Sequence, residues 1–150
     1  MQLFRNSYFK LDYDPTTDVL FVDLPDMRTA GLSEAKLCFS IMLDYVMNYH
    51  IRNILLDSSK AVVEVEDTLY HALIYEVSMQ LKSTSLQRVA RVVSNLPELE
   101  VNAVLVQGEV LESQGPVYKI QNFSTKEQAF AWLSVKTTQG DQTQNSSIPC

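Results

Sequence analysis

Side chains capable of chemistry gather at a few places in the 150-residue sequence, and the sharpest is Asp57-Ser58-Ser59, directly after the apolar run Ile54-Leu55-Leu56. A carboxylate and two hydroxyls at the end of a strand can hold a small polar ligand, because parallel sheets open their binding crevice beyond the carboxyl ends of their strands. Ser94, Asn95 and Asn122 end two later strand-like runs and would share that polar edge. The same residue types also serve as caps and turns ahead of helices. Thr68 stands near the start of a helical pattern. Backbone N–H groups and the helix dipole would stabilise a phosphate there, while Glu64, Glu66 and Asp67 would oppose it. Thr68, Ser58 and Ser59 are the candidate phosphoacceptors.

Other chemistries find no matching pattern. The two histidines, His50 and His71, have no Cys or His at ligand spacing, so a zinc site is not expected. No G-x-S-x-G elbow is present, and Gly31, Gly108, Gly115 and Gly140 make no phosphate cradle. Asp57 as a receiver-type phosphoacceptor would need an acidic pair and a lysine after a later strand. Asp23 and Asp26 match the pair loosely, and Lys119 falls inside a strand. No catalytic residue, metal or cofactor is therefore expected, and the chain is read as a non-enzyme.

Composition limits the partners. Hydrophobic residues make up 46% and charged residues 20%, as in ordinary globular domains. The formal net charge of −6 makes nucleic acid and anionic headgroups poor partners. The richest apolar stretch, Leu37 to Val46, is interrupted by Ser40 and Asp44 and falls short of the roughly 18 residues that span a bilayer. The opening residues show no secretory pattern, and Cys38 and Cys150 make no disulfide framework. A cytoplasmic protein without membrane insertion is the expectation.

The elements that must position these residues follow from periodicity. Tyr8 to Tyr13 alternates, Asp14-Pro15-Thr16-Thr17-Asp18 is turn chemistry, and Val19 to Leu24 returns, which predicts a hairpin. Leu32 to His50 carries a helical stripe through Ala35, Phe39, Met42, Val46 and Tyr49. Asn53 to Leu56 and Arg88 to Val93 read as strands, with a helix from about Asp67 to Lys82 between them. Pro97 opens a shorter helix to about Glu109, and Val117 to Asn122 is the last strand. Ser124 and Glu127 form a capping box for a final helix. The order β-β-α-β-α-β-α-β-α implies an α/β domain over 1–134, with a mixed, mainly parallel sheet and one antiparallel strand at its edge. Residues 135–150, rich in Thr, Gln and Ser, read as a disordered polar tail.

This element order, the segment Ile54 to Ser59, and the close Phe123-Ser124-Thr125-Lys126-Glu127-Gln128-Ala129-Phe130-Ala131-Trp132-Leu133 together resemble the STAS domains, the SpoIIAA-like anti-sigma-factor antagonists, which are related to the lipid-binding lobe of SEC14-like carriers. The resemblance covers about residues 7–134. It implies a phosphorylation-controlled partner switch, with a regulatory kinase or an anti-sigma-like factor as protein partner. The family's phosphorylatable Asp-Ser-Ser-Gly is replaced here by Glu66-Asp67-Thr68-Leu69, with neither the second Ser nor the Gly.

The two long helices carry more apolar residues than one buried stripe needs. Cys38, Ile41 and Tyr45 on the first, and Tyr70, Ile74 and Met79 with Tyr75 on the second, lie off the main stripes. Deep burial, a homodimer face or an apolar ligand groove would each account for that surplus, and Tyr and Met favour interfaces. Tyr45, Tyr70, Tyr75 and Met79 are the interface candidates. The expected function is a non-catalytic regulatory or protein-interaction module that self-associates. The alternative is a small-molecule or lipid-binding carrier.

Overall fold

The computed structural model describes residues 2–5, 10–23, 26–27, 32–59, 62–63, 67–93, 97–113 and 117–134. Ser94, Asn95 and the polar tail at 135–150 lie outside the described residues. The chain runs β1 (Gln2–Arg5), β2 (Lys10–Asp14), β3 (Val19–Asp23), β4 (Asp26–Met27), α1 (Leu32–Tyr49), β5 (Asn53–Asp57), β6 (Val62–Val63), α2 (Asp67–Leu81), β7 (Arg88–Val92), α3 (Pro97–Glu112), β8 (Lys119–Phe123) and α4 (Lys126–Ser134). Six strands form one mixed sheet in the order β1-β2-β3-β5-β7-β8. The β1–β2 and β2–β3 pairs are antiparallel and the other three pairs are parallel. β4 and β6 pair separately, in parallel.

The α/β class and the four helices agree with the expectation; the β4–β6 pair goes beyond it, α3 runs on to Glu112 rather than ending near Glu109, and the sheet edge is corrected. The antiparallel strand β2 is not the edge, because β1 pairs along its outer side. Four residues, Gln2 to Arg5, are too few to announce a strand by alternation.

Three crossovers follow one another along a sheet that grows in one direction, so the handedness rule places α1, α2 and α3 on the same face. That face buries Leu20, Val22, Ile54 and Val89 against Ala35, Phe39, Met42 and Val46 of α1 and Leu73, Val77 and Leu81 of α2. α4 follows the last strand and folds back over the opposite face. There Val19, Leu55, Ala90 and Val92 meet Ala129 and Leu133. Phe21 stacks on Phe130 at 5.6 Å, and Phe123 lies 5.7 Å from Trp132. Burial of a side chain such as Leu133 is worth roughly 1.5–3 kcal/mol. Strands β5 and β7 are covered on both sides, which is why their sequences are nearly continuous apolar runs.

Local chemistry sets the ends of these elements. In the β2–β3 turn, Asp14 accepts from the Thr16 N–H (3.0 Å) and the Thr17 hydroxyl (3.0 Å). Asp18 closes that turn at φ 55°, a left-handed position that Asp tolerates. α1 ends with His50 at φ 51° and the Ile51 N–H on the Val46 carbonyl (3.1 Å), the pattern of a Schellman cap with fully buried Ile51 beyond it. α4 is capped by Thr125 rather than Ser124: the Gln128 N–H donates to Thr125 Oγ1 (3.2 Å). β8 runs one residue further than its sequence suggests, to Phe123, and the helix starts one residue later.

The layers are joined at the amino ends of the parallel strands. Arg88 at the start of β7 donates to the Trp132 and Leu133 carbonyls (3.0 and 2.8 Å) and, through Nε, to Asn53 Oδ1 (3.1 Å). Buried Asn53 donates in turn to the Asp18 carbonyl (3.0 Å). A guanidinium on the last carbonyls of α4 satisfies acceptors that the helix leaves open and suits its dipole. Burial lowers the Arg88 pKa from its ordinary value. Arg88→Met should cost about 3 kcal/mol in urea unfolding followed by Trp132 fluorescence, because it strands these acceptors. Arg88→Lys should recover less than half, since an ammonium lacks the forked geometry. A loss below about 0.5 kcal/mol for Arg88→Met, the level of a plain surface change, would contradict this role.

Candidate functional site

The carboxyl ends of β3, β5, β7 and β8 bring part of the polar edge together. Asp57 ends β5 in register with Asp23 of β3 and Val92 of β7, so the two carboxylates share the face that carries α4. Asp57 Oδ1 accepts both the Ser59 N–H (3.0 Å) and the Ser59 hydroxyl (2.6 Å). Ser58 extends the ladder through its N–H to the Val92 carbonyl (3.1 Å) and is only 4% exposed. Asp23 Oδ1 is buried without a hydrogen bond, and Lys126 Nζ stands 3.9 Å from it.

This geometry fixes what a phosphate would do. On Ser59 it would add about −1.5 to −2 charges beside Asp57, one strand from Asp23, and would break the loop's own bonds. On Ser58 it would have to open the β5–β7 strand ends. Thr68 lies in the first turn of α2, and its side chain is outside the described residues, as are Glu64, Glu66, Ser94 and Asn95. Asn122 faces α3 instead, exchanging bonds with Gln107 (3.2 and 3.3 Å).

An open cleft of about 190 Å³ lies on the bare face of β2 and β3, beside the start of α4. Its walls include Lys10, Asp12, Phe21, Asp23 and Lys126. Lys10 pairs with Asp12 at 3.7 Å, and Lys126 sits 5.7 Å over the Phe21 ring. Among the described residues, no group of three or more His, Cys, Asp or Glu could hold a metal ion. No described helix is long and apolar enough to cross a membrane.

The surplus apolar residues divide between interior and surface. Cys38 is buried, while Ile41, Tyr45 and Ile74 pack against the core. The Tyr45 hydroxyl donates to the Leu3 carbonyl (3.0 Å), and its ring stacks on Tyr49 at 5.7 Å. Tyr75 and Met79 are half-buried on α2, and the Tyr70 side chain is outside the described residues. Large apolar side chains are exposed on α1 (Leu37, Met47 and Tyr49), at Leu69 of α2, and on α3, where Val104, Leu105 and Leu111 reach 60%, 54% and 64% exposure. Positions 104, 105, 108 and 111 follow three- and four-residue spacing and line one outward side of that helix. The signal for them was in Val104-Leu105-Val106 and Val110-Leu111, which offer more apolar side chains than one buried stripe can take. Only Val106 and Val110 of these face inward.

Compared with family models, curated proteins and solved structures, the chain has no match in any of the three. Fold and surface therefore carry the functional argument. The class they define is a three-layer α/β domain with a polar strand-end edge and an apolar outer helix.

At the opposite end of the sheet, Tyr13 donates to Asp18 Oδ1 (2.8 Å) while Arg52 holds Oδ2 (2.6 Å). Burial and then the Asp18 bond push the Tyr13 pKa up to about 12, and burial, against the lowering effect of its bond to Ser78, brings Tyr118 to about 12. A tyrosine whose folded pKa is raised adds stability that is complete below its unfolded pKa, near 10, and is lost as pH climbs through 12. In ultraviolet titration two tyrosines should ionise late, and Tyr13→Phe should remove one of them. The stability gap between wild type and Tyr13→Phe should close from pH 10 to 12. Ionisation of all tyrosines in a single step near pH 10 would contradict the Tyr13–Asp18 bond.

Proposed function

We propose that the protein is a non-catalytic interaction module of the regulatory kind, docking a protein partner on its helix layer. The observation that carries this is the outward stripe of Val104, Leu105 and Leu111, three large apolar side chains on one side of α3, each more than half exposed. A contiguous exposed apolar stripe bordered by the acidic Glu109 and Glu112 marks an interaction site. The resemblance of the element order to STAS domains supports the same reading. A phosphate on Ser59 would act as a switch by disrupting the β5 loop, because Asp57 already takes that hydroxyl. Among the described residues, the cleft on β2 and β3 gives the carrier alternative less support: it holds about 190 Å³, is open and is edged by charges, whereas small-molecule pockets usually run to about 300–1,000 Å³ and are largely apolar.

A photo-crosslinking residue placed at Leu111 in the native host tests this, with one at exposed Gln121 as control. Protein adducts should form at 111 and not at 121, and the adducted protein, once purified, should bind the unmodified chain. Leu111→Lys should weaken that complex by about tenfold or more without lowering stability, as loss of an interface anchor does. A monomer that yields no adduct at 111 and carries a small-molecule mass in native mass spectrometry would overturn the module and favour the carrier.

A further inference from the structure

The stripe on α3 has two properties that narrow its occupant. The first is Gly108, which sits at its centre, between Leu105 and Leu111. A Cβ built at Gly108 would meet nothing within 4 Å. A glycine in a helix interior is among the costliest ordinary choices for that helix, and nothing inside the fold requires this one. The open notch it leaves suits the close approach of another backbone or the seating of a partner's side chain.

The second property is charge. Residues 97–113 contain Glu98, Glu100, Glu109 and Glu112 and no Lys or Arg. Glu100 is taken by Arg91 in a two-pronged pair (2.8 and 2.7 Å) on the inner side. Glu109 borders the stripe with its carboxylate on His71 Nε2 (3.0 Å), and exposed Glu112 closes it. Both lie in the last turns of α3, where the dipole is already negative and no basic residue of the helix itself offsets it; Lys82, just past α2, brings a cation to this end and donates to the Ser113 hydroxyl (2.6 Å). A second copy would bring the same charges. Crossed antiparallel at Gly108 it would press Glu112 onto Val104, and crossed parallel it would set Glu112 beside Glu112. Among the described residues, the three exposed apolar side chains cover only two turns, less than the roughly 800 Å² per partner of a stable interface between globular surfaces. With Gly108 between them they stand at i, i+1 and i+7 around a glycine at i+4, one side of the helix on which another helix can lie.

We propose that α3 docks a cationic amphipathic helix of a partner protein. Its apolar side packs on Val104, Leu105 and Leu111 over the Gly108 notch, and its Lys or Arg residues face Glu109 and Glu112. This rests on the interaction-module reading and supplies the chemistry of its partner.

The test uses the full chain and two fluorescein-labelled helical peptides with the same Leu pattern, one filled with Lys and one with Glu, in anisotropy titrations at low and physiological salt. The Lys peptide should bind at least about tenfold more tightly than the Glu peptide, and more weakly as salt rises. Gly108→Leu fills the notch and improves helix propensity, so the variant should fold, as circular dichroism would show, yet bind the Lys peptide about tenfold more weakly. The double variant Glu109→Gln, Glu112→Gln should flatten the salt dependence. Equal binding of both peptides, lost in Gly108→Leu, would overturn the cationic partner and leave the module standing. Binding of the Lys peptide that ignores Gly108→Leu would overturn docking on α3, as would no binding; adducts at Leu111 would then judge the module separately. A dimer in light scattering that Gly108→Leu dissolves would overturn the proposal in favour of a second copy.

Discussion

The guanidinium of Arg88 is the joint on which the layers of this domain meet. The three bonds described for it go to neutral oxygens: the Trp132 and Leu133 carbonyls in the last turn of α4 and the side chain of Asn53. Asn53 passes the connection to the Asp18 backbone, and the Asp18 carboxylate gathers Tyr13 and Arg52. One continuous network thus links α4, β7, β5, the β2–β3 turn and the end of β2. A half-buried cation spent on backbone carbonyls is expensive unless its geometry is satisfied, because desolvation disfavours its charge. The network supplies that geometry. The Arg88 side chain also lies 5.6 Å from the Trp132 ring, so the same residue holds α4 by bonds and by an aromatic contact.

This constraint divides the molecule's work. The lone helix α4 is clamped at its carboxyl end and packed on Val19, Leu55, Ala90 and Val92. The other face is built from three crossover helices, of which α1 and α2 bury the larger cluster. α3 is the outermost of them. It reaches its neighbours through polar contacts at several points: Glu100 to Arg91, Glu109 to His71, Ser113 to Lys82, and Gln107 to Asn122. Val106 and Val110 alone of its described apolar residues are buried, and the remainder faces outward. A rigid scaffold can present the exposed apolar side of α3 as a docking surface with little ordering cost on binding.

Much of the fold was legible because its information is local. Ile54-Leu55-Leu56 runs apolar, and Val89-Ala90-Arg91-Val92 nearly so, because β5 and β7 are covered on both sides; the exception, Arg91, is taken by Glu100. The Asp14–Asp18 turn announces itself through side chains that bond their own backbone. The edge strand β1 was hidden by its brevity, and the α4 cap shifted from Ser124 to Thr125 because two adjacent hydroxyls fit the same pattern. The Arg88 network joins residues 35 to 45 positions apart, which no local pattern reveals. The site divides the same way. Asp57-Ser58-Ser59 reads correctly as a strand end, but only coordinates show the Ser59 hydroxyl committed to Asp57 and Ser58 enclosed. The α3 stripe was legible only as a surplus of apolar residues, because Val104-Leu105-Val106 and Val110-Leu111 do not declare which of them the fold will cover.

The central claim is that a clamped scaffold leaves α3 as its binding surface. Methyl-resolved NMR of the full chain during titration with the Lys-filled amphipathic peptide tests it most directly. The account predicts that shifts concentrate on the methyls of Val104, Leu105 and Leu111, while those of Leu55, Val92 and Leu133 under α4 stay in place. Shifts concentrated under α4 or around Phe21 and Lys126, with the α3 methyls unmoved, would contradict it.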